Sequence, residues 1–130
     1  MENKKTIVTT DRAPAAIGPY SQAVAVSGLV FVSGQISLSP LTGQLVGEGD
    51  VGLQTEQVMK NLEAVLSAAD CRFEHVVRCT IYLANMADFA TVNGIYARSF
   101  PSEPPARATI QAAGLPRGAL VEIDAIAAKF

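Results

Sequence analysis

The 130-residue chain has little of what the commonest protein chemistries need. It holds one histidine, His75, beside Glu74, and no serine or cysteine is spaced to work with it. No Ser-His-Asp or Cys-His set is legible, and His75 reads as a connector between a helix and a strand. Its two cysteines, Cys71 and Cys79, lack C-x-x-C spacing and any neighbouring cluster of His or Cys. That excludes a zinc site or a disulfide framework and fits reduced thiols in the cytoplasm. No run approaches the roughly 18 apolar residues of a membrane span. Met1 to Lys5 is not followed by the long apolar stretch of a secretory signal, so a cytoplasmic location is expected. The ten lysines and arginines are scattered and the formal net charge is −2, so no footprint for nucleic acid is present.

Apolar residues are plentiful. They make up 49% of the chain against 17% charged, an apolar balance for so short a sequence. Either a plain core absorbs them, or part of the surface is buried against identical subunits. The length fits a single domain over 1–130.

Two β-rich runs, Ala23 to Val26 and Leu29 to Ser33, flank Ser27-Gly28 as a short hairpin, after a β-rich piece at Thr6 to Thr9. From Asp50 the period becomes helical: Val51, Thr55, Val58, Leu62, Val65, Leu66 and Ala69 share a face, with Gln54, Glu56, Lys60 and Glu63 elsewhere on the wheel. Asp50 is placed to cap this helix. His75 to Leu83 reads as a strand with Val77, Cys79, Ile81 and Leu83 on one face. A second helix is expected over Met86 to Phe100, with Phe89, Val92, Tyr96 and Phe100 on one side and the Tyr96 hydroxyl at the rim. Pro101, Pro104 and Pro105 forbid its continuation. Strands over Arg107 to Ala112 and Leu120 to Ala128 complete the order β-β-β-α-β-α-β-β, which predicts an α+β layer with helices on one face of a single sheet.

Gly47-Glu48-Gly49-Asp50-Val51-Gly52 has the G-x-G-x-x-G spacing of a dinucleotide loop. Glu48 and Asp50 would repel a pyrophosphate there, and the repeated βαβ units of such a fold are missing, so a glycine-rich approach to a capped helix is the better reading. Cys79 lies on an apolar strand face and reads as core.

The C-terminal third holds the most informative pattern. Arg107 and Thr109 point to one face of their strand, and Glu122 and Asp124 share a face of the last one. If those strands pair across the intervening loop, an arginine and a carboxylate stand near each other at a sheet end. On the residues alone, a structural ion pair or a solvated face is the simpler account.

Several segments change that weighting. Pro105-Ala106-Arg107-Ala108-Thr109-Ile110, Ala113-Gly114-Leu115-Pro116 and Val121-Glu122-Ile123 resemble the signature of the Rid (YjgF) family. In order with them stand Ala13-Pro14-Ala15-Ala16-Ile17-Gly18-Pro19-Tyr20-Ser21-Gln22-Ala23, Val32-Ser33-Gly34-Gln35-Ile36 and Asp88-Phe89-Ala90-Thr91-Val92-Asn93. The resemblance runs almost end to end and implies a chorismate-mutase-like α+β fold, with a mixed sheet and two helices on one face. It further implies a homotrimer with clefts between subunits, and hydrolysis without cofactor or metal of 2-imino acids such as 2-iminopropanoate and 2-iminobutanoate to 2-keto acids and ammonia. Arg107 would then grip the substrate carboxylate with two parallel hydrogen bonds. Glu122 would orient water or move a proton. The main chain at Gly34 could approach the ligand closely. The resemblance also places Asn93 and Tyr20 in the cleft, Tyr20 reaching in from the neighbouring subunit. Thr109 departs from the pattern: many relatives carry cysteine there, so this pocket offers a hydroxyl in place of a thiol. Two other functions compete, a non-catalytic 2-keto-acid-binding trimer using the same arginine and, further behind, an endoribonuclease.

Overall fold

The computed structural model describes residues 4–130. Its elements run β1 (Thr6–Val8), β2 (Ala23–Val26), β3 (Leu29–Gln35), α1 (Val51–Ala68), β4 (Val76–Leu83), α2 (Phe89–Ala97), β5 (Ala106–Gln111) and β6 (Val121–Ala128), in the expected order. Ser27 and Gly28 take φ of 52° and 80°, the paired positive values that let a two-residue turn match the twist of β2 and β3. The six strands form one mixed sheet in the order β1-β2-β3-β6-β4-β5, antiparallel throughout except for β4 and β5. A parallel pair needs a crossover, and α2 supplies it.

α1 begins where Asp50 accepts a hydrogen bond from the Leu53 amide at 3.0 Å. Its buried stripe of Thr55, Val58, Leu62, Val65 and Leu66 packs on β3 and β6. β6 answers with Val121, Ile123, Ala125 and Ala127, all buried, while Glu122, Asp124 and Ile126 face the other way, half-buried. Both helices pack onto one face of the sheet, and the core lies between. Among the described residues the other face carries no helix, and it presents a row in register, Ile7, Val24, Phe31 and Ile126, across four strands.

Three expectations are corrected. The second helix is shorter than Met86 to Phe100 because Asn85 accepts from the Ala87 amide at 2.9 Å, tightening the first turn into a 3-10 turn over Met86–Asp88. Its far end loosens into i→i−3 bonds through Phe100. Gln54, assigned to the polar side of the first helix, is fully buried: its side chain donates to the Gly47 carbonyl at 3.1 Å and accepts from the Leu120 amide at 2.8 Å. Asn61 is buried likewise and donates to the carbonyls of Ile36 and Leu38 at 3.1 and 3.0 Å. The Tyr96 hydroxyl is not at the rim but buried beside the Cys79 thiol.

Candidate active site

Arg107 sits on the edge strand β5 opposite Cys79 of β4, and Thr109 opposite Ile81. Cys79 and Ile81 are buried under the helices, so the arginine and the threonine face α2. Phe89, Asn93 and Tyr96 stand at i, i+4 and i+7 on α2, one stripe of its surface. Arg107 Nη1 donates to Asn93 Oδ1 at 2.7 Å. The guanidinium carbon lies 5.6 Å from the Phe89 ring centre and 5.1 Å from that of Tyr96, both within cation–π reach. Two aromatic rings and an amide oxygen thus fix the plane of the guanidinium. Thr109 shares the small cleft beneath Asn93 and Arg107, and its buried hydroxyl has no partner among the described residues. Burial pushes the Cys79 thiol and the Tyr96 phenol up from their ordinary values, so neither is an ionised nucleophile near neutral pH.

Glu122 belongs to the opposite face. It pairs in register with Tyr82, whose neighbours Ile81 and Leu83 point into the core. Around it opens a cavity of about 530 Å³ that takes in Tyr20, Gly34, Leu38 and Arg117. β3 pairs Val32 with Ala125 and Gln35 with Ile123, so Ser33 and Gly34 together oppose the single residue Asp124. This bulge brings the Gly34 main chain against the Glu122 carboxyl. Burial, and after it the charge of Asp124, pushes the Glu122 carboxyl above its usual range. Asp124 accepts from the Thr80 amide and from the Tyr82 hydroxyl, each at 3.1 Å.

Of the six residues singled out in the sequence, the structure therefore gathers two groups: Arg107, Asn93 and Thr109 under α2, and Tyr20, Gly34 and Glu122 on the open face. The expected meeting of Arg107 and Glu122 at a sheet end does not occur within one chain. β4 lies between β5 and β6, and the two side chains leave the sheet on opposite sides. Phe89 and Tyr96, read from the sequence as helix core, are additions to the arginine's surroundings. Their i, i+7 spacing around Asn93 was the available signal. Among the described residues no cluster of His, Cys, Asp and Glu could hold a metal ion, and no helix is long and apolar enough to cross a membrane.

Fold and site define a small α+β protein whose mixed sheet carries a braced arginine on one face and a carboxyl in a cavity on the other. The family model described as Endoribonuclease L-PSP matches residues 10–129. Protein DfrA of Myxococcus xanthus is 57% identical over 122 residues, 92% of each chain. The mouse 2-iminobutanoate/2-iminopropanoate deaminase is 52% identical over 123 residues, covering 95% of this chain and 90% of its own. Among solved structures, YyfA from Yersinia pestis, described as a protein of the conserved Rid family, superposes with a TM-score of 0.94 at 46% identity, covering 96% of this chain and 99% of its own. The chain belongs to this family, the Rid family.

Proposed function

We propose that this protein hydrolyses reactive 2-imino acids, 2-iminopropanoate and 2-iminobutanoate among them, to 2-keto acids and ammonia without a cofactor. The observation that carries the chemistry is the braced guanidinium of Arg107: a planar fork, held before substrate arrives, matches a planar carboxylate. The high identity to the mouse deaminase over nearly the whole chain supports the same reading.

The site is completed between copies. Arg107, Asn93 and Thr109 of one subunit face Tyr20, Gly34 and Glu122 of the next, in a chorismate-mutase-like homotrimer of single-domain chains in the cytoplasm. Support comes from the opposite placement of the two groups and from the open sheet face, where Ile7, Phe31 and Ile110 are 50, 42 and 47% exposed. A patch of that kind is ordinarily covered by a partner.

Arg107 holds the substrate carboxylate and so places C2 of the imine near Glu122. With the substrate as its iminium, ionised Glu122 takes a proton from water as the water oxygen adds to C2, and the C=N π pair moves to nitrogen, giving a neutral amino alcohol. The resulting amino alcohol receives a proton at nitrogen from Glu122. The C–N bond then breaks as Glu122, ionised again, takes the proton of the C2 hydroxyl, releasing ammonia and the 2-keto acid. No covalent intermediate with the protein is needed. Imines hydrolyse readily unaided, and each tenfold gain requires only about 1.4 kcal/mol.

The test generates 2-iminopropanoate with an amino-acid oxidase and catalase, traps what survives with semicarbazide, and compares no protein, wild type and Arg107→Ala. Faster imine loss with wild type, abolished by the substitution, is expected. Equal trapping by wild type and blank across several imino acids sinks the deaminase reading and leaves 2-keto-acid binding to be measured. Against RNA as substrate stand the net charge of −2 and the scattered cations. Ribonuclease activity that survives Arg107→Ala and vanishes on repurification marks a contaminant. A monomeric mass at micromolar concentration overturns the shared site.

A further inference from the structure

The Glu122 carboxyl is not alone on its side of the sheet. Asp124 follows two residues later on β6 and faces the same way, about 7 Å along the strand. Two donors fix its position. Thr80, its register partner on β4, gives its backbone N–H to Oδ1, and Tyr82, the register partner of Glu122, gives its hydroxyl to Oδ2. Asp124 therefore cannot swing away from Glu122 without abandoning both bonds. On its other flank lies the bulge of Ser33 and Gly34, which brings neither charge nor titratable group. The remaining groups that face Glu122 are the phenols of Tyr82 and Tyr20 and the guanidinium of Arg117 at the cavity wall. Arg78 on β4 is exposed and pairs with Ile126, four residues along β6.

We propose that Asp124 is a positioning residue for the hydrolysis: pinned by Thr80 and Tyr82, it is the fixed negative charge against which Glu122 takes up and gives back its proton. This rests on the role assigned to Glu122 above. A lone carboxylate in water is a poor proton acceptor near neutral pH because it holds a proton too weakly. A like charge held close makes the neighbouring acid keep its proton longer. Burial acts in the same direction, and Asp124 adds to it without touching the substrate.

The experiment is the pH profile of kcat/KM for 2-iminopropanoate hydrolysis by the full-length protein as wild type, Asp124→Asn, Tyr82→Phe and Glu122→Gln. The substrate's own protonation is common to all four and cancels in the comparison. Wild type is expected to gain activity through an acid limb as Glu122 ionises. Asp124→Asn keeps an acceptor for the Thr80 amide but removes the charge, so its limb moves down by about 0.5–1 pH unit. Tyr82→Phe keeps the charge and removes a donor that spreads it, so its limb moves up. Opposite displacements by two neighbouring substitutions are not produced by loosened packing. If Asp124→Asn does not fold, the upward shift of Tyr82→Phe carries the test. Limbs that coincide with wild type in the folded variants overturn the role of Asp124 while leaving that of Glu122 intact, provided Glu122→Gln is inactive. Full activity of Glu122→Gln with an unchanged limb overturns both.

Discussion

The Glu122 carboxyl occupies the space that any side chain at Gly34 would need: a Cβ built there collides with Oε2 and crowds the carboxyl carbon. Gly34 does not have positive φ, so alanine meets no backbone strain, and the effect of substitution isolates the contact. Gly34→Ala should displace Glu122 and lower kcat/KM at least tenfold at little cost in stability, because what yields is the end of a flexible side chain beside a cavity. Imine-loss rates and urea midpoints measured together check this. Unchanged kcat/KM would mean that Glu122 has another productive position.

Asn93→Ala removes the 2.7 Å bond to Arg107 but leaves both aromatic rings in place. About tenfold in kcat/KM, or roughly 1.4 kcal/mol, should be lost, chiefly through KM. Asn93→Asp should be worse, because its carboxylate competes with the substrate's for the same guanidinium. Steady-state kinetics on the two variants tests the order.

Glu122 also links pH to stability. Its carboxyl is raised on folding, so the native state binds a proton more tightly than the unfolded chain. The stabilisation from that proton is full below the ordinary carboxylate range and is lost as pH rises through the raised folded value. Glu122→Gln should therefore gain on wild type in urea midpoint between pH 4 and pH 7, at matched protein concentration. A constant difference between the two proteins would contradict the raised value.

If the site is shared between neighbours, Arg107→Ala and Glu122→Gln should each be inactive and yet complement one another. Random reassembly of equal amounts puts an intact arginine opposite an intact glutamate in about a quarter of the sites. Co-refolding followed by the trapping assay should restore about that fraction of wild-type activity. No recovery in correctly assembled mixtures would place both residues in one chain's site.

Gln54→Ala should strand the Gly47 carbonyl and the Leu120 amide inside the protein, at about 1–3 kcal/mol apiece before any water enters. Chemical denaturation reads the sum. A loss of under 1 kcal/mol would show that solvent reaches both groups.

What was legible in the sequence was local. Asp50 followed by a 3.6-residue period marked α1, Ser27-Gly28 marked the hairpin, and the alternation of Val121 and Ile123 with Glu122 and Asp124 marked the two faces of β6. Strand order was not legible, because it depends on pairings between distant segments: placing β6 between β3 and β4 separates Arg107 from Glu122, although they stand only fifteen positions apart in sequence. Gln54 misled for the same reason, since one of its partners lies 66 residues away. The individual members of the candidate site came from resemblance. Single residues such as Asn93 carry no periodic signal, and its partner Arg107 is 14 positions distant.

The two buried amides of α1 have a consequence for motion. Asn61 holds the carbonyls of Ile36 and Leu38, which line the Glu122 cavity, and Gln54 holds Leu120, just ahead of β6. The cavity wall is thus suspended from the helix on the far side of the sheet. The Leu120 amide should exchange with solvent deuterium only when α1 lifts off, which makes its protection a clock for the cavity's own opening. A ligand that needs the wall to yield must wait for the core.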